Sequence, residues 1–493
     1  MEKNFTITIL PNHQQFSGKP TESVLELLRR NGMAPHALCG GNGTCGKCKV
    51  LVDGVEQLAC QTIIDRDMTI ELAQKPENAN ILSKGTETIL SVDAEISGNL
   101  IAIDLGTTTI VCYLLDNHGK ELAVASALNP QGTYGADVIS RIQAASNGKL
   151  EELSHSVQTK LTALIGEACE KAKVSPESIQ RIALVANPCM QQLLMGISPD
   201  NLAKVPFAPV LTELKTVPAS GICGNAEFII VPDISGYVGA DTMGCVLATQ
   251  MYKKETVTLM VDIGTNGEMV LGNKNHMIAC STAAGPALEG ANIRFGMRGG
   301  EGAIDHVMWD NGKPKIHVIG EGKASGICGS GLIDAVAVML EKGLINNRGR
   351  IASPEKEFMG DRAFYLTENI CLTQNDIRQV QLAKGAIAAG IELMAKRFGI
   401  GLTEIDEVLL AGAFGSFIDP ASACTIGLLP PVLLPKIRAV GNAAGSGAKL
   451  LAASTAQQEL ANRLVKEIEF LELASLPEFQ RTFGKQTNFT KCG

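Results

Sequence analysis

Leu38-Cys39-Gly-Gly-Asn-Gly-Thr-Cys45-Gly-Lys-Cys48, followed by a run ending in Leu58-Ala-Cys60, is the stretch on which the reading of this chain turns. Three cysteines share one short loop with Gly40, Gly41, Gly43 and Gly46. The fourth, Cys60, arrives after an expected strand at Lys49–Val52. Two irons need four thiolates, and glycines let a backbone turn around an inorganic core without a Cβ clash. The plant-type cluster spacing is C-x4-C-x2-C with a distant fourth cysteine. Here the first gap holds five residues instead of four.

Two other motifs overlap the loop. Gly41-Asn-Gly-Thr-Cys-Gly46 satisfies G-x-G-x-x-G, and Gly41–Cys48 nearly makes a Walker A loop, with Cys48 where a Ser or Thr should stand. Both need a strand before and a helix after. Thr21–Asn31 in front has helical spacing and the segment behind is β-like, which is the reverse order. Structural zinc, whose ligands usually come as two close pairs, and plain core cysteines are the remaining readings. The stretch resembles a [2Fe–2S] ferredoxin domain, down to Leu58-Ala-Cys-Gln61. That resemblance implies a cluster on Cys39, Cys45, Cys48 and Cys60.

Composition narrows the function classes. The chain has 493 residues, 45% apolar and 19% charged, so it is globular with two to four core-forming units. A net charge of −8 without a long basic run argues against nucleic acid or an anionic membrane as partner. No apolar run is long enough to span a bilayer. The N-terminal Met1-Glu-Lys-Asn-Phe-Thr-Ile-Thr-Ile-Leu alternates like a strand and lacks a signal-peptide core, so a cytoplasmic protein is expected. Ten of the fourteen cysteines lie singly between Cys112 and Cys492, as reduced core thiols would.

The order along the chain is a strand at 3–10, a helix at Thr21–Arg30 with Thr21 as N-cap, and strands at Cys48–Val52 and Met68–Leu72. This fits a β-grasp unit over 1–76. Polar residues then read as a linker over 77–98 with one short helix. The rest, 99–493, divides at about 256/257. Leu100-Ile-Ala-Ile-Asp104-Leu-Gly-Thr-Thr-Thr-Ile-Val-Cys-Tyr-Leu-Leu115 is a buried strand, a polar turn and a second buried strand. The design returns at Leu259-Met-Val-Asp262-Ile-Gly-Thr-Asn-Gly-Glu-Met-Val-Leu271. Such a repeat implies two halves of like topology facing one cleft.

The chemistry of these hairpins is phosphate chemistry. Gly106 and Gly264 permit tight turns whose outward amides, with the hydroxyls of Thr107, Thr108 and Thr265, can hold phosphate oxygens. Asp104 and Asp262 stand at the turns, where carboxylates hold Mg²⁺ through water. Val408-Leu-Leu-Ala-Gly412-Ala-Phe-Gly415 runs a buried strand into a glycine turn that an adenosine could lie against. Together these resemble the actin-like ATPase superfamily. The resemblance places Asp104 and Thr107–Thr108 in its first phosphate motif, Asp262–Gly267 with Asn266 in the second, and Gly412–Gly415 in the adenosine motif. It also implies that Asp241, in Gly239-Ala-Asp-Thr, orients the attacking water; a helix cap is the plainer reading.

Further glycine-rich turns are Asn129-Pro-Gln-Gly-Thr-Tyr-Gly-Ala-Asp137, Ser281-Thr-Ala-Ala-Gly-Pro-Ala-Leu-Glu289-Gly, Gly326-Ile-Cys-Gly-Ser-Gly331 and Gly441-Asn-Ala-Ala-Gly-Ser-Gly447. Asp137 and Glu289 are either site carboxylates or helix caps. Phe470–Phe489 carries spaced aromatics, as a docking tail would.

A ferredoxin unit ahead of an actin-like ATPase resembles the reductive activators of corrinoid proteins. The resemblance implies an α+β ferredoxin domain followed by a duplicated RNase H-like ATPase of the actin class. It implies a [2Fe–2S] cluster, ATP and Mg²⁺, and reduction of cob(II)amide to cob(I)amide. The partners it implies are a corrinoid protein of a methyltransferase system and an upstream low-potential electron donor, with a homodimer as a further assembly. This sequence departs from the family twice. Longer members carry a domain between cluster and ATPase, and in Val185-Ala-Asn187-Pro-Cys a proline, Pro188, stands where a hydroxyl residue is expected. Competing functions are an ATP-dependent reductase of another low-potential acceptor, a redox sensor without turnover, and a small-molecule kinase. Activators of thioester dehydratases carry their cluster on ATPase-domain cysteines, and Cys280 and Cys328 are not spaced for that.

Overall fold

The computed structural model describes residues 4–35, 37, 40, 41, 43, 47–72, 81–224, 226–352 and 356–489. Cys39 and Cys45, with residues 73–80 of the expected domain end and linker, lie outside the described residues. Five strands, β1 (Phe5–Leu10), β2 (Gln14–Gly18), β3 (Lys49–Val52), β4 (Val55–Leu58) and β5 (Met68–Leu72), form one mixed sheet ordered β2-β1-β5-β3-β4. Helix α1 (Val24–Arg30) lays Val24, Leu25, Leu27 and Leu28 on it against Ile7, Val50 and Ile70. Its cap is Ser23, not Thr21. The Ser23 hydroxyl accepts from the Glu26 amide at 3.2 Å and Glu26 accepts from the Ser23 amide at 3.3 Å, a reciprocal box that Thr21 is too far upstream to make.

The next segment is no free linker. Over residues 81–98 the structure has no helix. The segment straps the far end of the chain instead. The Asn442 amide donates to Lys84 O at 2.9 Å, the Thr86 hydroxyl to Val440 O at 3.2 Å, and the Ser446 hydroxyl to Thr86 O at 3.0 Å. A polar extended backbone must find partners, and it finds them on a glycine-rich turn that leaves room for it.

Two six-stranded sheets follow. The first holds β6 (Asn99–Leu105), β7 (Thr109–Leu115), β8 (Glu121–Leu128), β9 (Ile179–Ala186), β10 (Lys215–Pro218) and β11 (Glu227–Ile230), with helices α2 (Val138–Ala144), α3 (Leu150–Ala172), α4 (Pro188–Leu194) and α5 (Ala240–Thr249). The second holds β12 (Thr258–Ile263), β13 (Gly267–Gly272) and β14 (Met277–Thr282) in sequence. An insertion comes next. It contains β15 (Ala303–Asp310), β16 (Lys313–Val318), β17 (Gly326–Ile327), α6 (Gly329–Glu341) and a small sheet of β18 (Lys356–Phe358), β19 (Asp361–Tyr365) and β20 (Cys371–Thr373). Then come α7 (Gln374–Phe398), β21 (Glu407–Ala411), α8 (Gly412–Phe417), α9 (Pro420–Thr425), β22 (Ile437–Gly441), α10 (Ala443–Ala453), α11 (Thr455–Glu467), β23 (Glu469–Phe470) and α12 (Phe479–Gln486).

The duplication is in the pairing. Strands β8-β7-β6-β9-β11 and β14-β13-β12-β21-β22 have the same order and the same senses: two antiparallel pairs, then two parallel ones. These are two RNase H-like units. Their central strands are covered on both faces, which is why they read as unbroken apolar runs and not as alternating ones. A core of Ala102, Val111, Val185, Met260, Val270 and Leu409 fills the space between the sheets, with α5 and α10 inside it. A Cβ on Gly447 would overlap the Gly244 backbone, so the two helices cross through paired glycines.

The C-terminal aromatics form no free tail. Helix α12 packs on α7, Phe489 is 3% exposed, and the buried Lys384 ammonium donates to Asn488 O at 2.5 Å. Among the described residues no helix is long and apolar enough to cross a membrane.

Candidate functional site: a two-hairpin cleft tied to the cysteine loop

A cavity of about 530 Å³ opens between the two sheets. Asp104, Gly106, Thr107 and Thr108 line one wall, and Asp262, Gly264, Thr265 and Asn266 the other. Gly412 and Asp241 complete it, so ten of the eleven residues expected in the nucleotide site meet in one place. Gly415 lies outside the lining, packed on Leu410 of β21. The segment around it is the short helix α8, not an open turn. Gly412 has φ +80°, and any Cβ there would strike the Asp262 carboxylate.

The turn glycines do something other than expected. The Gly106 amide donates to Thr109 O and the Gly264 amide to Asn266 O, each at 2.9 Å. Both are consumed inside their turns, and neither is offered to a ligand. The threonine hydroxyls remain as donors. The Thr108 and Thr265 hydroxyls both donate to Glu289 Oε2, each at 3.0 Å.

Several asparagines missed at the sequence level hold this cleft in shape. Asn442 caps α10 and donates to Asp104 Oδ2 at 2.8 Å. Asn187 caps α4 and donates to the Thr107 hydroxyl at 3.0 Å. Pro188 then sits at the first helical position, where its fixed φ fits and no amide is needed. Asn129 donates to Gly106 O at 2.9 Å, and its own amide donates to Thr108 O at 2.9 Å. Arg141, 1% exposed, donates to Thr107 O at 2.5 Å. Asp137 is a helix cap only, accepting from the Ser140 amide at 2.7 Å.

The electrostatics of the cleft are lopsided. Asp104, Asp241, Asp262, Glu268, Glu289 and Asp305 line it, against the Arg298 guanidinium and the imidazoles of His306 and His317. Burial first, with Asp241 nearby, raises Asp104 to about 7 even though Asn442 opposes the shift. Burial, then Asp241, Asp104 and Glu289, raises Asp262 to about 7. Asp241, in the first turn of α5, and Glu268 shift upward together, each chiefly by burial. Such crowding calls for a cation. Among the described residues no three ligating side chains converge on one point.

At the other end, the β3–β4 hairpin sets Cys48 and Cys60 close in space. Lys49 faces Leu58, and the Ala59 amide donates to Cys48 O at 2.8 Å. Cys48 is 1% exposed. Gly40, Gly41 and Gly43 have φ of +69°, +101° and +73°, left-handed conformations suited to a loop wrapped around a core. These features fit a cluster whose other expected ligands are Cys39 and Cys45. The flanking elements, α1 before and β3 after, rule out both phosphate-loop readings of the same stretch. Cys280 packs its sulfur 3.1 Å from Met394, and the Cys328 thiol donates to Ile304 O, so these two thiols serve separate neighbourhoods.

The cysteine loop touches the ATPase unit. Arg29 donates to Gly40 O at 2.9 Å and, through Nε, to Thr133 O at 2.9 Å, and its guanidinium lies 5.0 Å from the Tyr134 ring centroid. The 3₁₀ turn Pro130–Thr133 begins at the cap Asn129, which holds the first hairpin.

Known proteins share this arrangement. The profile "2Fe-2S iron-sulfur cluster binding domain" matches residues 7–70, "RACo middle region" matches 100–254, and "C-terminal domain of RACo the ASKHA domain" matches 256–492. The corrinoid activation enzyme RamQ of Eubacterium limosum is 37% identical over 418 residues, covering 79% of this chain and 70% of that one. The [Co(II) methylated amine-specific corrinoid protein] reductase of Methanosarcina barkeri is 27% identical over 366 residues, covering 67% of this chain and 65% of that one. A solved reductive activator for corrinoid, iron-sulfur protein superposes with a TM-score of 0.73 at 27% identity, covering 99% of both chains. With a ferredoxin-type domain, a middle region and a C-terminal ASKHA domain in that order, this chain belongs to the RACo family.

Proposed function

We propose that the chain is an ATP-dependent reductase that returns the cobalt of a partner corrinoid protein from cob(II)amide to cob(I)amide. The relatives named above act on corrinoid proteins, and the cleft supports ATP as the driving substrate. One observation carries the reading: the cysteine loop and the first phosphate hairpin are joined by short hydrogen-bonded steps, Gly40–Arg29–Thr133 and Asn129–Gly106. A [2Fe–2S] cluster held by Cys39, Cys45, Cys48 and Cys60 supplies one electron at a time. Plant-type clusters sit near about −400 mV. Each 100 mV further uphill costs roughly 2.3 kcal/mol per electron, which a differential response to ATP and ADP can offset.

In the cleft, Thr107, Thr108 and Thr265 bind phosphate oxygens and Gly412 gives adenosine a bare backbone. Asp104 and Asp262 hold Mg²⁺ through water, and Asp241 positions the attacking water. Asn442 and Asn187 fix Asp104 and Thr107 in place. The described cysteines other than Cys48 and Cys60 are buried thiols without disulfides, which suits the reducing cytoplasm. A low-potential donor would recharge the chain, which would act alone or as a homodimer.

The test is anaerobic. The full-length protein, a reductant and a cob(II)amide protein are mixed with ATP, with a non-hydrolysable analogue, or with no nucleotide. The visible spectrum should show cob(I)amide with ATP alone. Equal reduction in all three mixtures would overturn the ATP-driven reading. ATP binding without any net electron transfer would favour a sensor.

A further inference from the structure

Glu289 bridges the two phosphate hairpins. Its Oε2 accepts from Thr108 on one wall and from Thr265 on the other, 3.0 Å each. Its second oxygen lies beside Gly264 in the second turn: a Cβ built on Gly264 would stand 3.7 Å from Glu289 Oε1. A carboxylate that accepts two hydroxyls in a phosphate turn occupies the place of a phosphate oxygen pair. The position is built. Glu289 ends a single 3₁₀ turn, Pro286–Glu289, between Gly285 at φ +78° and Gly290 at φ +82°. The turn is anchored by Leu288, 1% exposed, against the first turn of α6.

The identity of the phosphate follows from the order of parts. Gly412 abuts Asp262 of the second hairpin. An adenosine seated at Gly412 therefore runs its phosphates past the second hairpin first. What reaches across to Thr108 on the first hairpin is the terminal phosphate. A diphosphate meets Thr265 of that bridge and stops short of Thr108.

We infer that Glu289 stands in for the γ-phosphate, tying the hairpins together in the nucleotide-free protein and yielding both threonines to ATP but only Thr265 to ADP. This rests on the reading of the cleft as an ATP site, and it makes Glu289 the residue that separates triphosphate from diphosphate. Displacement requires two hydroxyls to change acceptor and one negative charge to swing away from another. The full penalty falls on the triphosphate, and a diphosphate bears only the share at Thr265. Neutralising the carboxylate should therefore tighten triphosphate binding selectively.

The experiment is calorimetric titration of the full-length protein with Mg²⁺ and either ADP or the non-hydrolysable AMP-PNP. In Glu289→Gln the affinity for AMP-PNP should rise about tenfold, as expected when two charge-assisted hydrogen bonds become neutral ones, while ADP, which meets one of them, gains about threefold at most. Glu289→Ala, which removes the acceptor altogether, should move in the same direction. The visible spectrum and melting curve of each variant report whether it has folded. A shift in Ala alone still supports displacement, through hydrogen bonding and not charge. An unchanged AMP-PNP to ADP ratio in both folded variants overturns the inference while leaving the ATP site standing. Failure of the wild-type protein to bind either nucleotide overturns the ATP-site reading, and this inference with it.

Discussion

Asp104 and Asp262 sit at matching positions of a duplicated hairpin, and both carboxyls are pushed up to about 7 by burial and by the other acids of the cleft. The sign of the consequence is fixed. An acid raised in the folded protein keeps its proton until the pH passes its new value, so below about 7 a proton competes with any cation for the site. Magnesium affinity of the nucleotide-free protein should therefore climb between pH 6 and pH 8. The ionised fraction of such a group goes from roughly a tenth to roughly nine-tenths over that range, an increase of about tenfold per carboxylate that must ionise. Calorimetry in two buffers of different ionisation enthalpy would show proton release on binding at pH 6 and little at pH 8. A flat profile would show that neither carboxylate meets the metal. These two aspartates, and Gly412 beside them, were legible because each sits in a short local pattern. Asn442, which steadies Asp104, was not, since the two are far apart in sequence and meet only because β22 and the following helix fold back onto the first sheet. Glu289 was visible only as an undecided carboxylate: nothing local distinguishes a cap from a residue that touches two distant turns.

The strands of the two hairpins and the one leading into Gly412 could be read from apolar runs, because a doubly covered sheet leaves an unbroken apolar signature, while the long helices α3 and α7 were not assigned. What escaped was backbone pairing without side-chain signal. The strap at 81–98 looks like a linker because its partners are carbonyls and amides of residues 440–446, and polar composition says nothing about those. The crossing of α5 and α10 escaped for a similar reason. Its determinants are two glycines, Gly244 and Gly447, that act by having no side chain. Helix α5 carries Asp241 and α10 begins at the Asn442 cap, so their separation sets the distance between the two halves of the cleft. Gly447→Ala should force the helices apart. Overpacking of this kind costs about 1–3 kcal/mol, and here it also moves Asp241 away from Asp104. The expected result is a lower denaturation midpoint of the ATPase unit, followed by fluorescence, together with weaker nucleotide binding. The cluster absorbance, carried by a separate sheet, should stay as in the wild type. Unaltered stability and affinity would mean that the crossing yields freely and does not gauge the cleft.

At the scale of the whole chain, two units with separate cores must exchange information through a small contact. Arg29 is its centre, holding Gly40 of the cysteine loop, Thr133 O and the face of Tyr134 together. The next residues back along that turn reach Asn129 and, through it, Gly106 and Thr108 of the phosphate hairpin. A nucleotide that reshapes the hairpin can thus pull on the segment against which the cysteine loop rests. Hydrogen bonds from a charged donor contribute about 1.5–3 kcal/mol, and a cation over a ring about 0.5–1 kcal/mol. Coupling of that size corresponds to roughly tenfold or more in rate or affinity. Arg29→Ala should keep the basal ATPase rate, because Arg29 does not line the cleft. It should lower the stimulation of corrinoid reduction by ATP by about tenfold. Spatial continuity alone does not establish a route, so the decisive measurement is a cycle with Asn129→Ala. If the path runs through the 129–134 turn, the double variant should lose little more than either single one. Fully additive losses would mean that hairpin and cysteine loop communicate by some other path, and that the contact at Arg29 merely docks one unit on the other.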